Sequence, residues 1–269
     1  MFDTIFNPTA LANEEALDGT NPLRHLMEDQ QPEPLPTNAP SSRYELLSAL
    51  PKQSYTVEDG ILQLTFQHGH PTIKQPILAT LTVDASPGCG GVAWPAGQIL
   101  ASYLVQQGPE YLKNKNILEL GSGTGLVGLV AALLGGKVCI TDQVPLLDVM
   151  RRNVSINNLS SSVTVAELNW GSPIPKGIPR PDLILAADCV YFEPAFPLLV
   201  KTLSDLAPDA ATEILFCYKR RRKADKRFFG KLKKNFSWKE VDDDPNQAIY
   251  NRESITLLRL TKLLKVQLA

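Results

Sequence analysis

The sequence predicts an α/β fold with a seven-stranded, mostly parallel sheet and helices on both of its faces. Two observations predict this class. From residue 115 onward, short apolar runs alternate with longer helical stretches, which is typical of parallel strands joined by right-handed crossovers. The first four of these runs are almost continuously apolar, as expected for strands that are covered on both faces.

The elements of this region follow one another in chain order. The predicted strands are 116–120, 137–141, 163–168, 182–187, 213–218, 237–241 and 255–260. The predicted helices are 126–134, 145–157, 195–206 and 221–234. No helix of useful length is predicted between the last two strands, so the final strand is expected to run antiparallel to its neighbours.

The chain divides into three predicted regions. Residues 1–45 are acidic and rich in proline, and such an arm buries little apolar surface and is expected to be loosely ordered. Residues 46–92 are predicted to form an N-terminal β-hairpin layer, because two β-rich runs, SYTV and ILQLTF, flank a turn with Gly60. Residues 93–269 contain the alternating pattern and form the main domain.

The composition excludes several classes of protein. The 269 residues carry a net charge of -1, with a pI of about 6.3, so no global field indicates nucleic acid or an anionic membrane. No apolar run reaches the roughly 18 to 20 residues of a membrane helix, and the N-terminus does not resemble a signal peptide. The four cysteines are not spaced as metal ligands, and His68 and His70 are too few. We therefore expect a cytoplasmic protein without a metal.

The sharpest local signal is the loop that follows the first strand of the alternating region. Its sequence, GSGTG, places Gly121, Ser122 and Gly123 between a strand and a helix, where glycines allow a tight turn and a close approach by a ligand. Asp142 ends the next strand, and a carboxylate there can accept both hydroxyls of a ribose. The loop and this carboxylate predict a cofactor that contains a nucleoside.

Two classes of cofactor fit this Rossmann-like geometry. Residues 123–128 form a literal G-x-G-x-x-G, which is typical of dinucleotide sites. Counted from Gly121, the glycine at the turn, the sixth position is Leu126, so the register does not match that fingerprint. Glu119 at the edge of the loop would repel a pyrophosphate and attract the ammonium of methionine. We favour S-adenosylmethionine, with a dinucleotide or a purely structural turn as the alternatives.

Further chemistry-bearing residues are predicted at the same edge of the sheet. Trp94 and Pro95 begin a helix before the core, Trp170 follows the third strand, and Asp188 and Tyr191 follow the fourth. The carboxyl ends of strands in an open α/β sheet line one crevice, so these side chains are expected to face a single pocket. An indole there can border an adenine, although half-buried core aromatics are the alternative explanation for both tryptophans.

Together these motifs resemble those of class I, seven-β-strand S-adenosylmethionine-dependent methyltransferases. Within that class, the sequence is similar to the subgroup that methylates lysines of non-histone proteins, including fungal enzymes acting on translation elongation factors. The shared features are W-P before the core, E-x-G-x-G-x-G, L-x-W-G and D-x-x-Y. The resemblance covers roughly residues 55–260 and is most specific at residues 188–191.

The resemblance implies a role for each matching residue. It implies cofactor contacts from Trp94, Gly121, Ser122, Gly123, Asp142, Trp170 and Ala187, to which our interpretation of the loop adds Glu119. Asp188 and Tyr191 would face the incoming lysine and act as the catalytic residues.

The implied function is methylation of a lysine on a protein substrate, with a translation elongation factor as the expected partner. The alternatives are an enzyme of the same fold acting on a small molecule or RNA, and a non-catalytic binding module. Base-methylating enzymes usually carry D/N-P-P-Y/F after the fourth strand, which residues 188–191 do not match. The basic run 219–234 is interpreted as a solvated helix face, so nucleic acid is not expected, and we expect a monomer.

Overall fold

The computed structural model describes residues 52–56, 60–67, 70–84, 89–222 and 225–264. It confirms the predicted fold class: a seven-stranded mixed sheet is accompanied by helices and by a separate three-stranded antiparallel sheet. The predicted acidic arm lies outside the described residues, and so does the beginning of the predicted hairpin layer.

The elements are numbered in chain order. The strands are β1 Lys52–Thr56, β2 Ile61–Phe66, β3 Ile77–Thr82, β4 Asn116–Leu120, β5 Lys137–Asp142, β6 Val163–Glu167, β7 Leu183–Ala187, β8 Glu213–Lys219, β9 Phe236–Glu240 and β10 Ile255–Lys262. The helices are α1 Pro95–Gln107, α2 Pro109–Leu112, α3 Leu126–Leu133, α4 Leu147–Ile156, α5 Phe196–Leu206, α6 Asp225–Leu232 and α7 Gln247–Arg252. Within the described ranges, no helix is long and apolar enough to cross a membrane.

The large sheet has the strand order β6-β5-β4-β7-β8-β10-β9. The strands from β4 to β8 pair in parallel, whereas β10 runs antiparallel to both β8 and β9. The reversed final strand is thus confirmed. The connection before it contains only the short helix α7, of six residues, which the sequence pattern did not predict.

The basic helix begins later than predicted. The sequence pattern starts it at residue 221, but α6 begins at Asp225. The Asp225 carboxylate accepts the backbone N–H groups of Arg221 and Arg222, at 3.0 and 3.1 Å. These side-chain bonds accompany irregular backbone at the two arginines, where periodicity alone predicted a helix.

The three N-terminal strands share a core with the large sheet. Leu64 on β2 and Leu81 on β3 are fully buried, in the same apolar cluster as Leu100 of α1 and Leu129 of α3. Asn153 on α4 and Asn157 directly after it also bond to the backbone of β3, at Thr82 and Thr80. The layer is therefore a three-stranded meander whose outer strand is tied to a helix, which protects that edge.

Candidate functional site

A cleft of about 360 Å³ lies at the carboxyl edge of the parallel strands. Such a volume is within the usual range for small-molecule sites. All ten site residues predicted from the sequence line it: Trp94, Glu119, Gly121, Ser122, Gly123, Asp142, Trp170, Ala187, Asp188 and Tyr191. The structure therefore brings the predicted set together, while the individual roles stay predictions.

The loop between β4 and α3 needs glycine at two positions. Gly121 and Gly123 have φ values of 65° and 56°, which L residues with side chains rarely adopt. A Cβ on Gly121 would lie 2.9 Å from the Trp170 ring, and one on Gly123 would overlap the backbone carbonyl oxygen of Gly90. The loop thus combines unusual backbone with close packing on both sides.

Ser122 joins this loop to the neighbouring strand. Its hydroxyl donates to the carbonyl oxygen of Glu119 at 3.1 Å and accepts from the backbone N–H of Thr141 at 2.9 Å. The Ser122 side chain therefore holds the loop in place, which is a structural role in addition to the predicted contact with the cofactor.

Asp142 retains acceptor capacity for a ligand. One of its carboxylate oxygens accepts the Gly123 N–H at 2.8 Å and the other accepts the Gln143 N–H at 2.7 Å. An ionised carboxylate offers about four lone-pair positions, so two remain for the hydroxyls of a ribose. Burial raises the pKa of Asp142, and these two N–H donors oppose that shift.

Glu119 lies beneath the loop and bonds to the start of α3. Its carboxyl oxygens accept the backbone N–H groups of Val127 at 3.3 Å and Gly128 at 3.0 Å. Burial raises its pKa to about 8, although the bond from Gly128 opposes the shift. Burial thus favours the protonated form of Glu119, which weakens both the predicted repulsion of a pyrophosphate and the predicted attraction of the methionine ammonium. The register of the glycines remains as the argument against a dinucleotide.

A pH dependence of stability follows from Glu119. Because its folded pKa of about 8 exceeds its ordinary value of 4.5, the folded chain holds a proton that the unfolded chain releases. The free energy of unfolding is thus expected to fall as the pH rises from about 5 to about 8, by on the order of a few kcal/mol. Urea unfolding at several pH values measures this.

The matched variants for this measurement are Glu119→Gln and Glu110→Gln. Glu119→Gln removes the proton exchange and is expected to flatten the dependence. Glu110 has a side chain that is 71% exposed, so its replacement is expected to leave the dependence as it is. If the free energy of unfolding depended on pH in the same way in wild type and Glu119→Gln, a raised pKa of Glu119 would be contradicted.

Both predicted tryptophans line the cleft. Trp94 directly precedes α1, whose first residue is Pro95, as predicted. Trp170 is half-buried, packs against the apolar cluster under α5, and also approaches Gly121. Trp170 therefore packs against the core and also lines the cleft, while its contact with an adenine stays a prediction.

Asp188 is held in an ion pair that sequence reasoning missed. Its backbone has a φ of 55°, and both of its carboxylate oxygens accept from the guanidinium of Arg221. The interpretation of the basic run as a solvated face is wrong for Arg221 and Arg222, whose side chains are buried in ion pairs. The pairing could have been predicted from the position of Arg221 in the chain. It closely follows β8, the parallel neighbour of β7, after which Asp188 lies.

A second cavity of about 280 Å³ adjoins the cleft. It shares Gln143, Trp170 and Tyr191 with the cleft and extends toward Leu198 of α5. Sequence reasoning also missed Gln143, which follows Asp142 and lines both spaces. The half-buried Tyr191 and the partly exposed Phe192 also line both spaces.

The reversed seventh strand, the glycine loop and the carboxylate after β5 define a class I methyltransferase that uses S-adenosylmethionine. A family model described as lysine methyltransferase matches residues 74–235. The Saccharomyces cerevisiae protein-lysine N-methyltransferase EFM6 is 39% identical over 213 residues, which are 70% of this chain and 87% of that protein. The Danio rerio protein N-lysine methyltransferase METTL21A is 41% identical over 169 residues, 61% of this chain and 76% of that protein. The chain belongs to the lysine methyltransferase family.

Alanine at Gly123 tests the fit of the cofactor loop. We expect Gly123→Ala to lose about 1–2 kcal/mol of stability from left-handed strain, and more from overlap with the Gly90 carbonyl. The displaced loop is expected to weaken S-adenosylmethionine binding by about tenfold or more. Calorimetric titration and thermal unfolding measure the two effects.

Gly135→Ala is the matched control for this variant. Gly135 has a φ of 92° but open space around its Cβ position, and it does not line the cleft. Gly135→Ala is expected to lower the thermal stability because of backbone strain and to leave the affinity for S-adenosylmethionine unchanged. Equal affinity for both variants would show that the loop does not shape the cofactor site.

Proposed function

We propose that this lysine methyltransferase acts on a translation elongation factor, and that it works in the cytoplasm as a monomer. The observation that carries the proposal is the meeting of the cofactor loop and the segment 188–191 in one cleft. The similarity to named protein-lysine methyltransferases supports a protein substrate. The elongation factor is supported by the motif resemblance of this sequence to the fungal subgroup.

The cleft fits the cofactor through its acceptors and its shape. Asp142 would accept the ribose hydroxyls, Trp170 would border the adenine, and the loop 121–123 leaves the backbone open to the methionine portion. When bound, S-adenosylmethionine supplies a methyl group whose bond to a positively charged sulfur breaks with the electron pair going to sulfur.

The rest of the cleft would receive the substrate amine. A free lysine has a pKa of about 10.4, and only its neutral form can attack. Tyr191, Phe192 and Trp94 form partly apolar walls that favour the neutral amine by desolvation. Asp188 would orient the nitrogen and stabilise the positive charge that develops on it.

A labelling experiment tests the proposed substrate. Lysate from cells that lack this protein is incubated with the purified enzyme and radiolabelled S-adenosylmethionine, and is then separated on a gel. We expect one discrete protein band, which mass spectrometry identifies as an elongation factor methylated on lysine. Label found only in nucleic acid or small solutes would reject a protein substrate.

Two controls separate the parts of the proposal. The Asp188→Asn enzyme is expected to leave the band unlabelled. A labelled band that proves to be another protein would reject the elongation factor while keeping lysine methylation.

A further inference from the structure

Arg221 faces Asp188 from the segment that follows β8, the neighbouring strand of the sheet. Its guanidinium donates to both carboxylate oxygens, with Nη1 at 2.8 Å from Oδ1 and Nη2 at 2.7 Å from Oδ2. The backbone N–H of Lys219 donates to the same Oδ1 at 3.3 Å. The guanidinium carbon also lies 5.6 Å from the centre of the Trp94 ring. Arg221 is therefore fixed against two residues that line the cleft.

This ion pair sets the charge that an incoming amine meets. The side chains of Arg221 and Asp188 are only 5% and 4% exposed, so solvent screens them little. The ionisable groups that interact with Asp188 are Cys189, Cys217 and Lys219, and Glu119, Asp142 and Tyr191 line the same cleft. The Asp225 carboxylate accepts from the backbone of Arg221. Burial raises the pKa of both thiols well above the ordinary value, so they stay neutral.

Without Arg221, Asp188 would favour the wrong form of the substrate. A lone carboxylate near an amine stabilises the ammonium, which has no free electron pair for attack. A carboxylate bound bidentately to a guanidinium presents a dipole instead of a net charge, so the ammonium gains much less. Desolvation by the cleft walls can then favour the neutral amine.

We infer that Arg221 is a positioning residue for methyl transfer, which holds Asp188 by both oxygens and offsets part of its charge, so that the cleft receives a neutral amine while Asp188 still stabilises the charge that develops during transfer. The inference rests on the proposed transfer to a lysine and concerns how the site selects its protonation state.

The pH profile of the transfer step tests this role. Single-turnover rates are measured by mixing the complex of enzyme and S-adenosylmethionine with the purified protein that labelling identifies as the substrate. We expect the rate of Arg221→Gln to be about tenfold lower near neutral pH and to recover at alkaline pH, because the profile shifts upward by about one unit or more. A uniform loss at every pH, or an unchanged profile, would overturn the inference.

Two further variants distinguish this effect from damage to the fold. Arg221→Lys keeps the positive charge without the two-pronged contact, so we expect a lower rate with a profile close to that of wild type. Arg222→Gln breaks the adjacent buried pair between Arg222 and Asp225, which does not line the cleft. It is expected to lower thermal stability without shifting the profile, and a shift as large as that of Arg221→Gln would also overturn the inference.

A simple amine gives a result that does not depend on the substrate. n-Butylammonium, which has the same chain as a lysine side chain, is titrated near neutral pH into each variant with S-adenosylhomocysteine present. Arg221→Gln is expected to bind it about tenfold tighter than wild type, whereas Arg222→Gln is expected to match wild type. Equal affinity in Arg221→Gln and wild type would reject the role of Arg221, even if labelling had already rejected a lysine substrate.

Discussion

Replacing Asp142 with alanine is expected to weaken S-adenosylmethionine binding by about 100-fold or more. Two hydrogen bonds from ribose hydroxyls to a charged acceptor contribute roughly 1.5–3 kcal/mol each, and both are lost. The change also leaves the Gly123 N–H without its 2.8 Å acceptor, which loosens the cofactor loop. Calorimetric titration measures the dissociation constant directly.

The matched control for this variant is Asp148→Ala. Asp148 lies nearby on α4, but its side chain is 82% exposed and pairs with Arg151 at the surface. Its replacement is expected to leave the dissociation constant unchanged, because exposed pairs contribute little. Similar affinities for the two variants would remove Asp142 from the cofactor site.

Replacing Asp188 with asparagine is expected to lower turnover by about 100-fold or more, with little change in cofactor affinity. A loss of turnover of this size is typical when an enzyme loses one group that stabilises the charge developing in the transition state. Asparagine is the better replacement, because it tolerates the φ of 55° and keeps an acceptor for Arg221. Alanine would leave a buried guanidinium without its partner and would cost stability as well.

The comparison between turnover and binding decides the role of Asp188. Methyl transfer to the labelled substrate and the dissociation constant of S-adenosylmethionine are measured on the same preparation. Thermal unfolding confirms that the variant is folded. Equal losses in turnover and affinity, or an unchanged turnover, would reject Asp188 as a catalytic residue.

The sheet could be predicted from the sequence because its strands are apolar and regularly spaced. β4, β5, β7 and β8 are buried runs separated by helices, and their predicted bounds agree with the structure to within a residue. The start of α6 could not be predicted in this way, because the Asp225 side chain competes for the backbone ahead of the helix. α7 was missed because its six residues are too few to show helical periodicity.

The members of the site were also predictable, because carboxyl ends of parallel strands must meet at one edge. What the sequence could not show was burial. The sequence alone indicates an ordinary ionised carboxylate at Glu119, whereas burial raises its pKa to about 8. Arg221 looks like one member of a solvated basic run, whereas it is buried against Asp188. Both differences from the sequence-based expectation have the same source, since the charge state and the partner of a side chain depend on tertiary contacts.

The central claim is that the cleft around residues 121–123 and Asp142 binds S-adenosylmethionine. Calorimetric titration of the full chain with S-adenosylmethionine, and separately with a nicotinamide dinucleotide, tests it most directly. We expect saturable binding of S-adenosylmethionine at one site, weakened by about 100-fold or more in Asp142→Ala, and no heat of binding with the dinucleotide. Saturable binding of the dinucleotide together with no binding of S-adenosylmethionine would contradict the account.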